Sequence, residues 1–185
     1  MSKIILASGS PRRKELMQML GIDFDIIVAD IDETIDYDAN LVKEIERLSY
    51  GKANAVFIDH EDDIVIGADT IVKLGNNILG KPKDKEEAVN MLKLLSDNTH
   101  QVVTAVSILS KDKKETFSSI TDVTFYKLTE EEINEYVESV EPLDKAGAYA
   151  IQGKGSEFVK SINGDYYTVV GLPIAEVYRR LKEYR

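Results

Sequence analysis

Residues 64–72, Ile64-Val65-Ile66-Gly67-Ala68-Asp69-Thr70-Ile71-Val72, form an apolar run of buried-strand type with a single carboxylate inside it. The run is strand-length, so its neighbours must cover it, and helix and strand signals lie on either side. Residues 4–7 read as a strand. Ser10 suits an N-cap and Pro11 the first helical position of a helix reaching Leu20, where Gly21 stops it. Residues 24–28 read as a second strand and residues 40–57 as a helix, with an acidic stretch (Asp30, Asp32, Glu33, Asp36, Asp38) before it. Gly75-Asn76-Asn77 signals a hairpin. Asp84, with Glu87 three residues on, caps a helix whose apolar stripe is Ala88, Met91, Leu92 and Leu95. Residues 101–109 and 116–126 are β-rich, and Thr129 with Glu132 opens a helix running to about Val140. Asn163-Gly164 predicts a hairpin between residues 158–162 and 166–170. Pro173 then opens a last helix with Ile174, Val177, Tyr178 and Leu181 on one face. This mixture predicts an α/β fold, a mixed twisted sheet with flanking helices. The pattern leaves the strand order open.

The chain's 185 residues suit one domain, 1–185, of two lobes around a cleft, and its 43% apolar content supplies a core. No apolar run approaches the ~18 residues of a membrane span. The apolar piece at the start is too short for a signal sequence, so the expected location is cytoplasmic. A net charge of −10 argues against nucleic acid as a partner, which needs a basic surface, but not against a small phosphorylated ligand in a local basic pocket. There is no cysteine and there are only two histidines, His60 and His100. Any metal must therefore be held by oxygen, which favours Mg²⁺ or Mn²⁺.

Several residues stand where their chemistry needs a reason. The Ser8-Gly9-Ser10-Pro11-Arg12-Arg13 turn joins a strand to a helix N-terminus, which presents backbone N–H groups and the positive end of the dipole. Two arginines there either clamp an anion such as a polyphosphate or are solvated or paired with a carboxylate such as Glu15, and the two readings carry equal weight. Asp69 needs a partner, a metal or a hydrogen bond among its apolar neighbours, and Gly67 and Ala68 leave space beside it for a ligand. Lys52 falls in the middle of the apolar stripe of its helix. It either snorkels to water, the commoner outcome, or points its ammonium into a cleft. Lys81, biased to an extended backbone by Pro82, reads more readily as a surface lysine than as a ligand contact, and Glu33 more often as a solvated acid than as a metal ligand. Gln152, in a glycine-rich stretch, carries both the donor and the acceptor needed to read a base edge, and a structural glycine-rich loop is an equal reading of the same spacing.

Taken in order, these pieces resemble the Maf family of nucleotide pyrophosphatases. The matching segments are Leu6-Ala7-Ser8-Gly9-Ser10-Pro11-Arg12-Arg13, Asp32-Glu33-Thr34, Lys52-Ala53, Gly67-Ala68-Asp69-Thr70, Gly80-Lys81-Pro82, Asp144-Lys145-Ala146-Gly147-Ala148-Tyr149, Ile151-Gln152-Gly153 and Val170-Gly171-Leu172-Pro173. They span nearly the whole chain. The resemblance implies two lobes around a cleft, a fold similar to that of inosine triphosphate pyrophosphatases, and often a homodimer. It also implies hydrolysis of a nucleoside triphosphate between the α- and β-phosphates with a divalent cation. By position Asp69 would be the proton acceptor and a metal ligand, and Glu33 a metal-site acid. Ser8, Arg12, Arg13, Lys52 and Lys81 would bind the triphosphate. Arg12, Thr70 and Gln152 match the branch that acts on dTTP and UTP. Gly51 departs from the family pattern and, at ~1 kcal/mol for glycine inside a helix, is expected to loosen Lys52. Two other readings remain: a nucleotide-binding regulator of septum formation without essential catalysis, and a γ-phosphatase.

Overall fold

The computed structural model describes residues 2–36 and 40–184; Asp38 of the acidic stretch lies outside them. Among the described residues, seven strands form one mixed sheet in the order β2-β1-β3-β5-β6-β7, with β4 paired to β3. β1 (Ile4–Leu6) lies parallel to both β2 (Asp25–Ile26) and β3 (Ile64–Leu74). β4 (Asn77–Leu79) returns antiparallel along β3, and β7 (Val159–Asn163) antiparallel along β6 (Lys114–Phe125). β5 (Thr99–Leu109) lies between β3 and β6. The β3–β4 hairpin pairs Leu74 with Asn77 around Gly75, whose φ of +58° is the left-handed backbone such a turn requires. The second strand is shorter than residues 24–28.

The chain divides into two compact units. The first comprises Met1–Thr70, Thr104–Ser119 and Gly171–Arg185. It holds α1 (Pro11–Met19), α2 (Leu41–Phe57) and α6 (Ile174–Leu181). Ser10 and Asn40 cap the first two helices by accepting from the Arg13 and Lys43 N–H groups; Ser10 is the cap its place before Pro11 predicts, and Asn40 stands just before its helix instead of opening it. Ile5, Ala7, Ala53, Val56, Phe57, Val65 and Leu109 form a core cluster. On α6, Ile174, Val177 and Leu181 are buried, but Tyr178 is 41% exposed and stands beside Lys182 instead of completing the inward face.

The second unit comprises Ile71–Val103 and Ile120–Val170, with α3 (Lys85–Leu95), α4 (Glu130–Glu138) and α5 (Tyr166–Val170). Asp84 caps α3, which buries Ala88, Met91, Leu92 and Leu95, and the Thr129–Glu132 capping box starts α4. Residues 166–170 are helical, not the second arm of a hairpin. The Asp165 carboxylate accepts from the Thr168 N–H (2.6 Å) and hydroxyl (2.8 Å), a cap that overrides the strand preference of Tyr-Tyr-Thr-Val-Val.

The core of this unit contains His100, 1% exposed, edge-on to Phe125 and Tyr149. Its Nε2 shares a 2.8 Å hydrogen bond with the Tyr149 hydroxyl, and its Nδ1 has no partner among the described residues. Burial pushes the imidazole down to about 4, so the folded state holds it neutral. A depressed histidine gives stability that is complete above its unfolded value near 6.5 and is lost as pH falls towards 4. That loss amounts to about 3 kcal/mol. The carboxylates of Asp32, Glu44, Glu132 and Glu183 are held below their ordinary values mainly by hydrogen bonds. Urea titrations from pH 7 to 4.5 should show the decline in wild type and a flatter profile in His100→Gln.

Candidate active site

The site grows from β3. Successive strand residues point to opposite faces, so Gly67 and Asp69 share one face and Ala68 and Thr70 the other. Between residues 64 and 72 only Asp69 and Thr70 are partly exposed; the rest are buried. On the first face, α2 lies directly against Gly67. A Cβ there would sit 2.4 Å from the Ser49 carbonyl oxygen and 2.7 Å from the Ala53 nitrogen. The space expected beside Gly67 for a ligand is therefore filled by helix backbone. Its use is to bring Lys52, the residue before Ala53, onto Asp69.

Lys52 Nζ donates to Asp69 Oδ1 at 2.7 Å and lies 3.0 Å from Glu33 Oε2. The lysine and Asp69 side chains are only 11% and 14% exposed, whereas Glu33 is 58% exposed. The ammonium does not snorkel to water. It bridges two carboxylates, which offset the cost of its burial. Gly51 leaves α2 unbroken, and a Cβ at that position would meet Ile31 Cδ1 at 3.2 Å. The glycine thus admits the Ile31–Glu33 segment against the helix, and Lys52 is fixed by its ion pairs, not loosened.

On the opposite face, Arg13 does the joining. Its Nε donates to the Gly171 carbonyl (2.9 Å), Nη1 to the Ser8 hydroxyl (3.2 Å) and Nη2 to the Thr70 hydroxyl (3.1 Å). Thr70 in turn shares a 2.9 Å hydrogen bond with Thr104. Burial lowers the Arg13 guanidinium from its usual range, Asp69 opposes that, Arg12 adds to it, and Glu33 opposes it. These four groups lie within electrostatic reach of one another. Arg12 is partly buried at the first turn of α1. Ser8, Arg12, Arg13, Glu33, Lys52, Asp69 and Thr70 are thus assembled in the first unit. Lys52 and Arg13 meet two carboxylates there, with Arg12 within electrostatic reach of Arg13, in a chain whose net charge is −10.

Lys81 and Gln152 belong to the second unit, and both are exposed. Lys81 follows β4, and Gln152 occupies the turn closed by the Gly153 N–H donating to the Ala150 carbonyl. Sequence reasoning overlooked Thr104 and the Gly171 carbonyl. Thr104 looks like any strand residue, and a backbone acceptor leaves no side-chain signal; the φ of +127° at Gly171 explains why glycine stands there.

Two carboxylates converging on one ammonium form a donor set suited to a hard divalent cation that completes its shell with water and phosphate oxygens. Among the described residues no group of three or more acidic or histidine side chains forms a fuller cage. No helix of the described residues is long and apolar enough to cross a membrane.

The closeness of α2 to β3 carries a prediction. Gly67→Ala should cost about 1–3 kcal/mol by overpacking, because helix backbone is what it strikes. The shift of Lys52 that follows should lower turnover by as much as about 100-fold. Chemical denaturation and initial rates on one preparation check both.

The Maf-like protein family matches residues 3–184. A dTTP/UTP pyrophosphatase of Bacillus anthracis is 56% identical over 184 residues, covering 100% of this chain and 96% of that protein. The dTTP/UTP pyrophosphatases of Bacillus cereus (strain G9842) and Bacillus cytotoxicus are 56% and 54% identical with the same coverage. With the match running from the first strand to the end of the last helix, the chain belongs to the Maf-like family.

Proposed function

We propose that this protein hydrolyses the α–β phosphoanhydride bond of dTTP or UTP, giving the nucleoside monophosphate and pyrophosphate. The observation that carries this reading is the Asp69–Lys52–Glu33 cluster beside two arginines, a locally cationic site in an acidic protein. The names borne by the relatives of similar length support the choice of substrate.

The reaction places new negative charge on the leaving pyrophosphate, so positioning and electrostatics supply most of the rate. A water oxygen attacks the α-phosphorus, its proton passes to the Asp69 carboxylate, and the bond to the bridging α–β oxygen breaks. Arg12 and Lys52 neutralise the phosphate chain. Arg13 holds Ser8 and Thr70 in place and faces the same charge, and Ser8 offers its hydroxyl. Lys81 is a further phosphate contact, and Thr70 and Gln152 select the nucleotide, Gln152 through the base edge. Glu33 and Asp69 would hold a Mg²⁺ or Mn²⁺ ion, which supplies additional charge neutralisation. A homodimer and a cytoplasmic location complete the proposal.

The test is a panel of dTTP, UTP, CTP, dATP and GTP with Mg²⁺ or Mn²⁺, with and without chelator. Pyrophosphate release is expected, greatest from dTTP and UTP, and should vanish with chelator. Tight nucleotide binding without turnover would instead favour a regulator.

A further inference from the structure

The turn that carries Gln152 is held at both ends by side chains that no sequence motif singled out. Before it, the Ala150 N–H donates to the Tyr136 hydroxyl at 3.1 Å. After it, the Lys154 N–H donates to Glu141 Oε1 at 3.3 Å and the Gly155 N–H to Oε2 at 3.4 Å. Each oxygen of one carboxylate therefore takes one backbone donor. The Glu141 carboxylate lies close enough to the Tyr136 hydroxyl to add to the upward push that burial gives it, so the two anchors stand side by side.

Gly153 shows how closely this latch is built. A Cβ on Gly153 would lie 1.9 Å from Glu141 Oε1 and 2.6 Å from its carboxyl carbon. The carboxylate occupies the place a side chain would take. The residue before Glu141, Val140, is β-branched, 56% exposed and has a φ of +65°. That conformation is costly for valine and persists only where the surroundings impose it. Here it turns the chain out of α4 (Glu130–Glu138) and brings Glu141 under the turn.

We infer that Glu141 is a positioning residue for nucleotide selection: its carboxylate latches the 150–155 turn and so fixes the direction of the Gln152 amide. This rests on the reading that Gln152 meets the base. An amide discriminates between bases only if its donor and acceptor are held in orientation, since a freely turning amide satisfies several edges equally. The latch is what removes that freedom from an exposed glutamine in a glycine-rich turn.

The experiment measures kcat and KM for dTTP, UTP, CTP and dATP with Glu141→Ala, Glu141→Gln, Gly153→Ala, Gln152→Ala and the Glu141→Ala/Gln152→Ala double variant. Melting temperatures are recorded alongside. Gly153→Ala displaces the carboxylate without deleting it. Glu141→Gln keeps one acceptor of the two, so both test the latch if Glu141→Ala fails to fold. The expected result is about a tenfold loss of discrimination in Glu141→Ala and Gly153→Ala, mostly through KM, with Glu141→Gln intermediate. The double variant should be no less selective than Gln152→Ala alone. Wild-type nucleotide ratios in the Glu141 and Gly153 variants, with altered ratios in Gln152→Ala, would overturn the latch and leave Glu141 a stabilising residue only. Unchanged ratios in Gln152→Ala would remove the base-reading role itself, and the latch with it.

Discussion

Asp69→Asn is expected to lower kcat by about 10²–10⁴, the range for loss of a positioned general base, while the protein remains folded. The amide has nearly the shape of the carboxylate and keeps an acceptor for Lys52 Nζ, now 2.7 Å from Asp69 Oδ1. What it loses is the ability to take a proton from water. Lys52 keeps Glu33 at 3.0 Å as a charged partner, so the variant should fall well short of the ~3–5 kcal/mol seen when a buried ion is left wholly uncompensated. Circular dichroism and a denaturant titration check the fold, and pyrophosphate release checks the rate. A variant turning over dTTP and UTP near the wild-type rate would take Asp69 out of the mechanism.

Lys52→Met removes the cation between two acids and should be nearly as damaging. The loss of one charge-stabilising group aimed at the phosphates is expected to cost about 10²–10³ in kcat. The methionine also leaves Asp69 and Glu33 facing one another without the ammonium. Two neighbouring carboxylates without the cation between them repel one another, so the Glu33 segment should lose its hold on the site. Lys52→Arg should recover part of the rate, since it restores the charge with a different shape. If Lys52→Met lowered activity only in step with a lower melting temperature, and Lys52→Arg recovered none of the rate, the lysine would be structural.

Much of the frame was legible because its signals are local. Ser10, Asp84 and Thr129 each read as a cap from the residues that follow, and each accepts the helix N–H that a cap should accept. The Gly75-Asn76 turn follows from the backbone that glycine alone adopts freely. Residues 166–170 were misread because their β-branched and aromatic side chains outweighed Asp165, whose capping role shows only in its bonds to Thr168.

The site was legible as a set of residues but not as a set of contacts. Asp69 announced itself as a carboxylate in an apolar run, and Lys52 as a cation on an apolar stripe. That one would answer the other depends on Gly67 letting α2 touch β3, a long-range contact with no sequence period. Arg12 and Arg13 looked equivalent, yet Arg13 donates to Ser8, Thr70 and Gly171, so its immediate task is joining three segments of chain. Glu141, just before Pro142, belongs to no motif of the sequence. Only Gly153, Lys154 and Gly155 folding over it give it a role.

Hydrolysis of dTTP in ¹⁸O-enriched water with Mg²⁺, followed by ³¹P NMR and mass spectrometry of the products, reports directly on which phosphorus the water attacks. Water activated at Asp69 and aimed at the α-phosphorus predicts equal amounts of labelled dTMP and unlabelled pyrophosphate. Label in orthophosphate with dTDP accumulating, or in pyrophosphate, would contradict the account.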